Sequence, residues 1–179
     1  MPVPDVDAPE TTVWKGDWIS AKKRGRWEYA TRNSGVTAAV ILAMEDGHVL
    51  LVEQYRVPLG KSCLELPAGL IGDDAGGEDD DPMSAAKREL EEETGYRAAH
   101  WDDLGEFFSS PGMTNESFTL LRARGLEKVG LGGGVDGEDI TVHRVKLEDF
   151  PQAVAGFRAQ GLAIDTRMLL ALGPFLLRE

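Results

Sequence analysis

Three glutamates that could act together stand close in the chain, namely Glu89, Glu92 and Glu93. In a helix, residues at i, i+3 and i+4 share one face, whereas Glu91 points elsewhere. Like charges at this spacing destabilise a helix by about 0.2–0.5 kcal/mol per pair, so this face favours a counter-ion. Lys87 and Arg88 could supply part of it, and a hard divalent cation such as Mg²⁺, which prefers oxygen ligands, could supply more. The spacing alone leaves both a metal site and a solvated acidic face open.

The stretch around these glutamates also carries most of the chain's net charge. The 179 residues include 31 acids and 19 bases, for a formal net charge of −12; residues 73–93 hold ten acids and two bases, hence −8. The loop 72–81 does not match a calcium loop, because Ala75 and Gly77 stand where alternating Asp or Asn ligands are needed. Nucleic acids and anionic membranes require a basic surface, so this balance argues against both as partners.

Other reactive side chains do not form a catalytic pattern. Cys63 is the only cysteine, which excludes an intrachain disulfide, and we expect it to be a small buried hydrophobe. His48, His100 and His143 are scattered without paired spacing, so we expect structural or exposed roles. Because no Ser-His-Asp or Cys-His constellation is evident, a covalent mechanism is not expected.

Local signals predict the element that carries the glutamates. Asp81 is a natural N-cap, Pro82 suits the first helical position, and Gly95 is a C-terminal stop, so a helix is expected between them. The sequence GVTAAVILAM, the turn Glu45-Asp46-Gly47 and HVLLVEQYR together predict a β-hairpin, because Asp-Gly is a strong turn signal.

The rest of the chain predicts an α/β sandwich with a mixed sheet. Residues 11–32 alternate as two or three antiparallel strands with a basic turn at 22–25, and CLELPAGL is a short strand stopped by Pro67 and Gly69. We expect further strands at EFFSS, SFTLLRARG and, as the last one, ITVHRVKL. Between the last two lies the flexible loop GLGGGVDGED. Two helices should close the chain, one starting near residues 147–149 and one spanning about 164–177.

The run RELEEETGY, preceded by LPAGLIG, resembles the signature of the Nudix hydrolases. Its second half matches without a gap. In the first half, ten residues instead of five follow Gly69 before the position of a family glutamate, which here holds Asp80; Glu78, two residues earlier, could substitute. The resemblance favours the metal site over a solvated face, because the family's main ligands come from the half that matches.

Segments outside this signature are similar to ADP-ribose and ADP-sugar pyrophosphatases of that family. They are VEQYRVPLG, CLELPAGLI, SSPGMTNES and RARGL, with RWEYATR and GDWIS resembling the N-terminal strands of eukaryotic ADP-sugar members. The resemblance implies an α/β/α Nudix domain over residues 34–179. Residues 1–33 would form a tail and β subdomain that mediates homodimerisation and stacks on the substrate base.

The resemblance also implies roles for individual residues. Glu89 and Glu93 match the main metal ligands, with Glu92 beside them in a supporting or direct catalytic role. Ala68 would ligate metal through its backbone carbonyl. Glu138 matches a mobile-loop glutamate that ligates metal or acts as the base, and Asp136 and Asp139 are the alternatives for that base.

Substrate contacts are implied in the same way. Trp27 would stack on adenine, and Trp18 would complete the sandwich from the other subunit, although both could instead be core or interface aromatics. Arg32 and Arg56 match arginines on the substrate's base and phosphates; the bidentate fork of arginine suits phosphate. In addition, Leu70 falls where the backbone meets the ligand, and Glu116 falls at a terminal-ribose contact.

The implied activity is Mg²⁺-dependent hydrolysis of ADP-ribose or a related ADP-sugar to AMP and a sugar phosphate, with Mn²⁺ as a possible substitute. Two alternatives remain: another nucleoside diphosphate sugar such as GDP-mannose, or an inactive scaffold that binds ADP-ribose. A cytoplasmic location is expected, because the N-terminus lacks the basic and apolar regions of a signal peptide. The longest near-apolar run, residues 35–44, is shorter than the roughly 20 residues that span a bilayer.

Overall fold

The N-terminal residues form a small antiparallel sheet of their own. A computed structural model describes residues 3–33, 35–72, 81–135 and 137–177. The small sheet contains strands β1 (Glu10–Lys15), β2 (Ile19–Arg24) and β3 (Trp27–Arg32) in that order. The prediction of a basic turn at residues 22–25 is wrong about where the turn lies. Residues 22–24 belong to β2, and Arg24 pairs with Trp27 across a turn in which Gly25 has a φ of 56°.

The second sheet is larger and combines parallel with antiparallel pairs. Its strands are β4 (Ala38–Glu45), β5 (His48–Arg56), β6 (Lys61–Glu65), β7 (Ala68–Leu70), β8 (Tyr96–Phe108), β9 (Ser117–Lys128), β10 (Thr141–Lys146) and β11 (Ala163–Ile164). The main order is β11-β6-β5-β4-β9-β8, with β10 paired to β5 and β7 paired to β4. The predicted hairpin β4–β5 is confirmed: Asp46 and Gly47 have φ values of 47° and 69°, as a two-residue type I′ turn requires.

Helices cover both faces of this sheet. They are α1 (Pro82–Thr94), α2 (Phe150–Ala159) and α3 (Leu169–Leu176). Successive residues of β4 point to opposite faces. Ile41 packs with Leu90 of α1 on one side, and Val40 packs with Phe150 of α2 on the other. The predicted α/β/α sandwich with a mixed sheet is therefore confirmed.

Three boundaries differ from the sequence-based prediction. Strand β8 begins at Tyr96, directly after α1, and includes far more than EFFSS. The two-residue strand β11 follows β10 and pairs in parallel with β6, so ITVHRVKL is not the last strand. A 3₁₀ helix, Thr166–Met168, precedes α3, which therefore begins at Leu169 rather than near Ile164. Asp165 is the N-cap of this 3₁₀ helix: its side chain accepts a hydrogen bond from Arg167 N at 2.7 Å and fixes where the 3₁₀ helix begins.

The small sheet contacts the body of the protein through β3, where Ala30 N donates to Met113 O at 2.9 Å. A domain boundary between residues 33 and 34 stays a prediction. None of the helices within the described residues combines the length and the apolar character of a membrane span.

Candidate active site

Helix α1 has the predicted bounds, and its capping residues fix where its glutamates lie. Asp81 Oδ1 accepts hydrogen bonds from Met83 N at 2.8 Å and Ser84 N at 3.0 Å, and Pro82 is the first helical residue. At the other end, Gly95 adopts a φ of 71°. Glu91 points away from the predicted metal face, because its carboxylate pairs with Arg97 Nε at 2.7 Å.

Glu93 is the most buried of the α1 carboxylates. It is 5% exposed, and its Oε2 accepts a hydrogen bond from Ala68 N on β7 at 3.0 Å. Burial, together with the negative charges of Glu89 and Glu138, raises the pKa of this carboxyl to about 8, although the Ala68 N–H and Arg56 act in the opposite direction. A buried carboxyl surrounded by like charges favours either a proton or a cation.

Strand β7 approaches α1 closely because residue 69 is a glycine. A Cβ built on Gly69 would lie 2.0 Å from Glu89 Cδ and 2.1 Å from its Oε1. The same carboxylate has Arg88 Nη2 at 3.5 Å. The backbone of β7 therefore lies directly against the Glu89 carboxylate, with the predicted ligand Ala68 adjacent.

The loop between β9 and β10 closes the C-terminal end of α1. Gly133 N donates to Glu93 O at 2.8 Å, and Gly134 N donates to Glu92 O at 3.0 Å, so helix-end carbonyls without an intrahelical partner are satisfied. The predicted glycine-rich loop is thus attached at its base to the helix that carries the predicted metal face. A Cβ on Gly132 would lie 2.4 Å from Thr94 C, which shows how close the two backbones are.

This loop brings Glu138 toward Glu93. The Glu138 Oε2 accepts a hydrogen bond from Val135 N at 3.0 Å, and its charge contributes to the raised pKa of Glu93. The alternative Asp139 is exposed and has a positive φ of 49°. Asp136 and the acidic residues 73–80, including Glu78 and Asp80, lie outside the described residues.

A cleft of about 760 Å³ is lined in part by β7. Five of the predicted site residues line it, namely Arg32, Arg56, Ala68, Leu70 and Glu116. The lining also includes Glu65, Cys63 and the segment 165–167 before α3. The structure therefore brings together the predicted phosphate, ribose and backbone contacts from four separate stretches of the chain.

Two predicted substrate residues form an ion pair with each other. Arg32 Nε donates to Glu116 Oε1 at 2.8 Å, and its Nη2 lies 2.7 Å from the same oxygen. Both side chains are about one-third exposed (34% and 33%), so they remain accessible from the cleft. The hydrogen bond from Glu116 N to Thr114 Oγ1 at 3.0 Å fixes the loop that supplies this acid.

Arg56 is held by a residue that the sequence analysis missed. Its Nε and Nη2 donate to the two carboxylate oxygens of Glu65 at 2.6 and 2.9 Å, and Arg167 Nη2 donates to Glu65 Oε2 at 3.0 Å. The Glu65 side chain is only 5% exposed. A charged residue inside the otherwise apolar run CLELP is the one sequence signal that could have identified it.

The predicted stacking tryptophans do not line this cleft. Trp18 is 83% exposed, and Trp27 is 53% exposed in a neighbouring groove with Tyr29 and Phe108. Along β3, residues 27 and 32 point to opposite faces, since side chains alternate along a strand. Within one chain, Trp27 and Arg32 therefore do not face the same space, and a stacking role requires an arrangement beyond the single chain.

The other reactive side chains behave as structural groups. Cys63 is 4% exposed, and burial raises the pKa of its thiol to about 11. His143 Nε2 lies 3.0 Å from Glu53 Oε2, and its ring packs edge-on against Phe157. His48 Nδ1 lies 2.8 Å from Asp46 O, and His100 is exposed on β8. The expectations for these residues agree with their positions.

The donor set near Glu93 fits a hard divalent cation in its chemistry. Glu89, Glu93 and Glu138 are oxygen donors whose like charges act on one another, and Glu92 lies on the same helix face. Among the residues that the structure describes, no three His, Cys, Asp or Glu side chains are already gathered around one metal position. Convergence of these carboxylates would therefore accompany cation binding.

Comparison with known proteins defines the class. The family model described as the NUDIX domain matches residues 33–163. This covers well over half of the chain, so the protein belongs to the Nudix hydrolase family, as the sequence resemblance implies.

Individual relatives refine this position within the family. The chain is 36% identical to an uncharacterized Nudix hydrolase of Schizosaccharomyces pombe over 182 residues, covering 93% of this chain and 86% of the relative. It is 34% identical to the ADP-ribose pyrophosphatase of Saccharomyces cerevisiae, covering 82% of this chain and 68% of the relative. A crystal structure of an ADP compounds hydrolase shares the fold, with a TM-score of 0.65, 21% identity and coverage of 82% and 80% of the two chains.

Proposed function

We propose that this protein hydrolyses the pyrophosphate of ADP-ribose or a related ADP-sugar to AMP and a sugar phosphate, with Mg²⁺ as cofactor. The observation that carries the proposal is the buried Glu93, which lies beside two further carboxylates and accepts a hydrogen bond from Ala68, a residue that lines an arginine-containing cleft. The similarity to the ADP-ribose pyrophosphatase of Saccharomyces cerevisiae supports the choice of substrate class.

The residues that would hold the cation are Glu89, Glu92, Glu93, Glu138 and the carbonyl of Ala68. When bound, Mg²⁺ supplies charge neutralisation at pyrophosphate oxygens and a water of lowered pKa; Mn²⁺ has the same preference for oxygen ligands. Glu93 must give up its proton for this, because only the carboxylate is a good ligand.

The remaining chemistry belongs to residues of the chain. Arg56 and Arg32 would bind the substrate from the cleft, and Leu70 would meet it through the backbone of β7. Glu116 would accept a hydrogen bond from the terminal ribose. Glu138 would accept the proton of the attacking water, a role in general-base catalysis that is worth about 10²–10⁴-fold in rate. Its loop is attached to α1 at the glycines, so Glu138 stays within reach of the carboxylates.

We further propose a homodimer formed through the N-terminal strands. The small sheet exposes several large apolar side chains, namely Val13, Trp14, Trp18, Ile19 and Trp27. Large apolar side chains exposed on one small sheet favour an interaction surface there. In such a dimer, Trp18 and Trp27 from different subunits would enclose the adenine ring. The cytoplasmic location stays a prediction.

Turnover of ADP-ribose in the presence of Mg²⁺ tests the proposal, with AMP and ribose 5-phosphate measured as products. The wild type should be active and Glu93→Gln nearly inactive. A parallel assay with GDP-mannose separates ADP-sugars from other nucleoside diphosphate sugars. Tight binding of ADP-ribose without turnover in Mg²⁺ or Mn²⁺ would identify an inactive binding scaffold and overturn the proposed activity.

A further inference from the structure

A buried carboxylate links two arginines at the edge of the cleft. Glu65, on β6, accepts three hydrogen bonds: Arg56 Nε at 2.6 Å, Arg56 Nη2 at 2.9 Å and Arg167 Nη2 at 3.0 Å. Arg56 is the residue assigned to the substrate's phosphates, and its side chain is 43% exposed. Arg167 is less exposed, at 20%, and comes from the segment between β11 and α3.

Arg167 is itself held in place by Asp165. Its Nε donates to Asp165 Oδ1 at 2.7 Å, and its Nη2 donates to Oδ2 at 3.0 Å. The same Oδ1 accepts from the backbone N of Arg167, and Asp165 N donates to Leu64 O at 3.0 Å. Because Leu64 precedes Glu65 on β6, the chain between β11 and α3 and the carboxylate of Glu65 form one connected unit.

We propose that Arg167 is a positioning residue for Arg56, acting through Glu65. The inference rests on the proposed function, in which Arg56 binds the diphosphate. Arg167 fixes the plane of the Glu65 carboxylate, and that carboxylate fixes the plane of the Arg56 guanidinium through Nε and Nη2. The two N–H groups on Nη1 of Arg56 are not part of this ion pair. The orientation of these two N–H groups is therefore set by the contacts of Glu65 with Arg56 and Arg167.

Sharing of the carboxylate also affects how strongly Arg56 attracts an anion. With two arginines on Glu65, the single negative charge of this carboxylate is shared between two guanidinium groups. Without Arg167, the whole negative charge of a buried Glu65 would face Arg56 and compete with a phosphate for it. Loss of Arg167 should thus weaken substrate binding in two ways. The guanidinium of Arg56 would be less firmly oriented, and its charge would be neutralised more completely by Glu65.

The test uses Arg167→Gln, Arg167→Lys, Arg56→Gln and the double variant of the two glutamine substitutions. KM and kcat are measured for ADP-ribose with Mg²⁺, and the Kd of α,β-methylene-ADP is measured by calorimetry in the same buffer. Arg167→Gln should raise KM and Kd about 10- to 100-fold, as expected for lost hydrogen bonds to a charged group, with a much smaller change in kcat. Arg167→Lys keeps the charge but not the fork, so it should recover only part of the affinity.

The double variant decides whether Arg167 acts through Arg56. Its KM and Kd should equal those of Arg56→Gln alone; effects that multiply would overturn the inference, as would full recovery by Arg167→Lys. Urea unfolding checks that each variant folds. If Arg167→Gln does not fold, Asp165→Asn, which removes the carboxylate that holds Arg167, replaces it: a raised Kd supports positioning, and an unchanged or lowered Kd overturns the inference.

The binding probe separates this inference from the proposed function. If the wild type binds α,β-methylene-ADP but does not hydrolyse ADP-ribose, the proposed activity fails. The Kd values of the single and double variants still test whether Arg167 acts through Arg56. If the wild type is active but the increases in KM and Kd caused by Arg167→Gln and Arg56→Gln multiply in the double variant, the proposed activity stands and the inference fails. A wild type that neither binds nor hydrolyses overturns both.

Discussion

Replacing Glu93 by glutamine should make the metal-free protein more stable at pH 8 while removing its response to Mg²⁺. The glutamine keeps an oxygen that can accept from Ala68 N, as Glu93 Oε2 does at 3.0 Å. It removes the charge that is unfavourable in a buried position beside Glu89 and Glu138. A residue that lowers the stability of the metal-free protein and is required for metal binding is the expected mark of a functional carboxylate.

The pKa of Glu93 determines both the sign and the size of the expected change in stability. It rises from 4.5 to about 8 on folding, so between these values the folded state holds a proton that the unfolded state has lost. Stability contributed by this group is therefore complete below about pH 4.5, falls as the pH increases, and is lost above about pH 8. At 1.36 kcal/mol per pKa unit, the difference amounts to about 5 kcal/mol as an upper bound.

The assay is urea unfolding in EDTA at about pH 5 and about pH 8. Glu93→Gln should be clearly more stable than the wild type at the higher pH and nearly equal to it at the lower. Glu91→Gln is the matched control on the same helix: the ion pair with Arg97 lowers the pKa of Glu91, so its loss should destabilise the protein slightly at both pH values.

Addition of Mg²⁺ completes the experiment. The cation should increase the free energy of unfolding of the wild type and of Glu91→Gln, because it binds the folded state. It should leave Glu93→Gln unchanged. A Glu93→Gln variant that is no more stable than the wild type at pH 8, or one that Mg²⁺ still stabilises, would refute the reasoning.

Three further substitutions test other parts of the site. Gly69→Ala should weaken activation by Mg²⁺ in a metal titration, because the new Cβ would lie 2.0 Å from Glu89 Cδ. Little stability should be lost, since that atom belongs to the movable end of a side chain. Gly112→Ala is the control, because a Cβ at Gly112 would have no atom within 4 Å. Glu138→Gln should lower kcat about 10²–10⁴-fold with unchanged thermal unfolding, and an unchanged kcat would exclude it as the base. Trp27→Ala should raise KM about 5- to 150-fold by loss of base stacking, and a wild-type KM would contradict the stacking role.

The elements that the sequence predicts well are those whose signals are local. Helix α1 has its expected ends because Asp81, Pro82 and Gly95 each act within one turn of the helix terminus. The hairpin β4–β5 depends on the two turn residues between its strands. The shared face of Glu89 and Glu93 follows from helical geometry once those ends are fixed.

Features that depend on distant parts of the chain could not be predicted in this way. Glu65 and Arg167 are 102 positions apart, and no local pattern indicates that they pair. The strand β11 has two residues and exists only because β6 offers it a partner. The burial of Glu93 depends on β7 and on the glycine loop, neither of which contributes to the helix pattern itself.

Ion pairs between the arginines and the acids of the cleft make the metal ion more important for attracting an anionic substrate than the arginines alone would suggest. Each arginine that lines the described part of the cleft is matched by an acid, in the pairs Arg32–Glu116, Arg56–Glu65 and Arg167–Asp165. The cleft walls therefore offer geometry and hydrogen bonds to an anion but little net positive charge. The α1 glutamates that contact β7 add negative charge, so an anionic diphosphate would be repelled until a cation neutralises them. The substrate should accordingly bind the metal-loaded protein far better than the metal-free one.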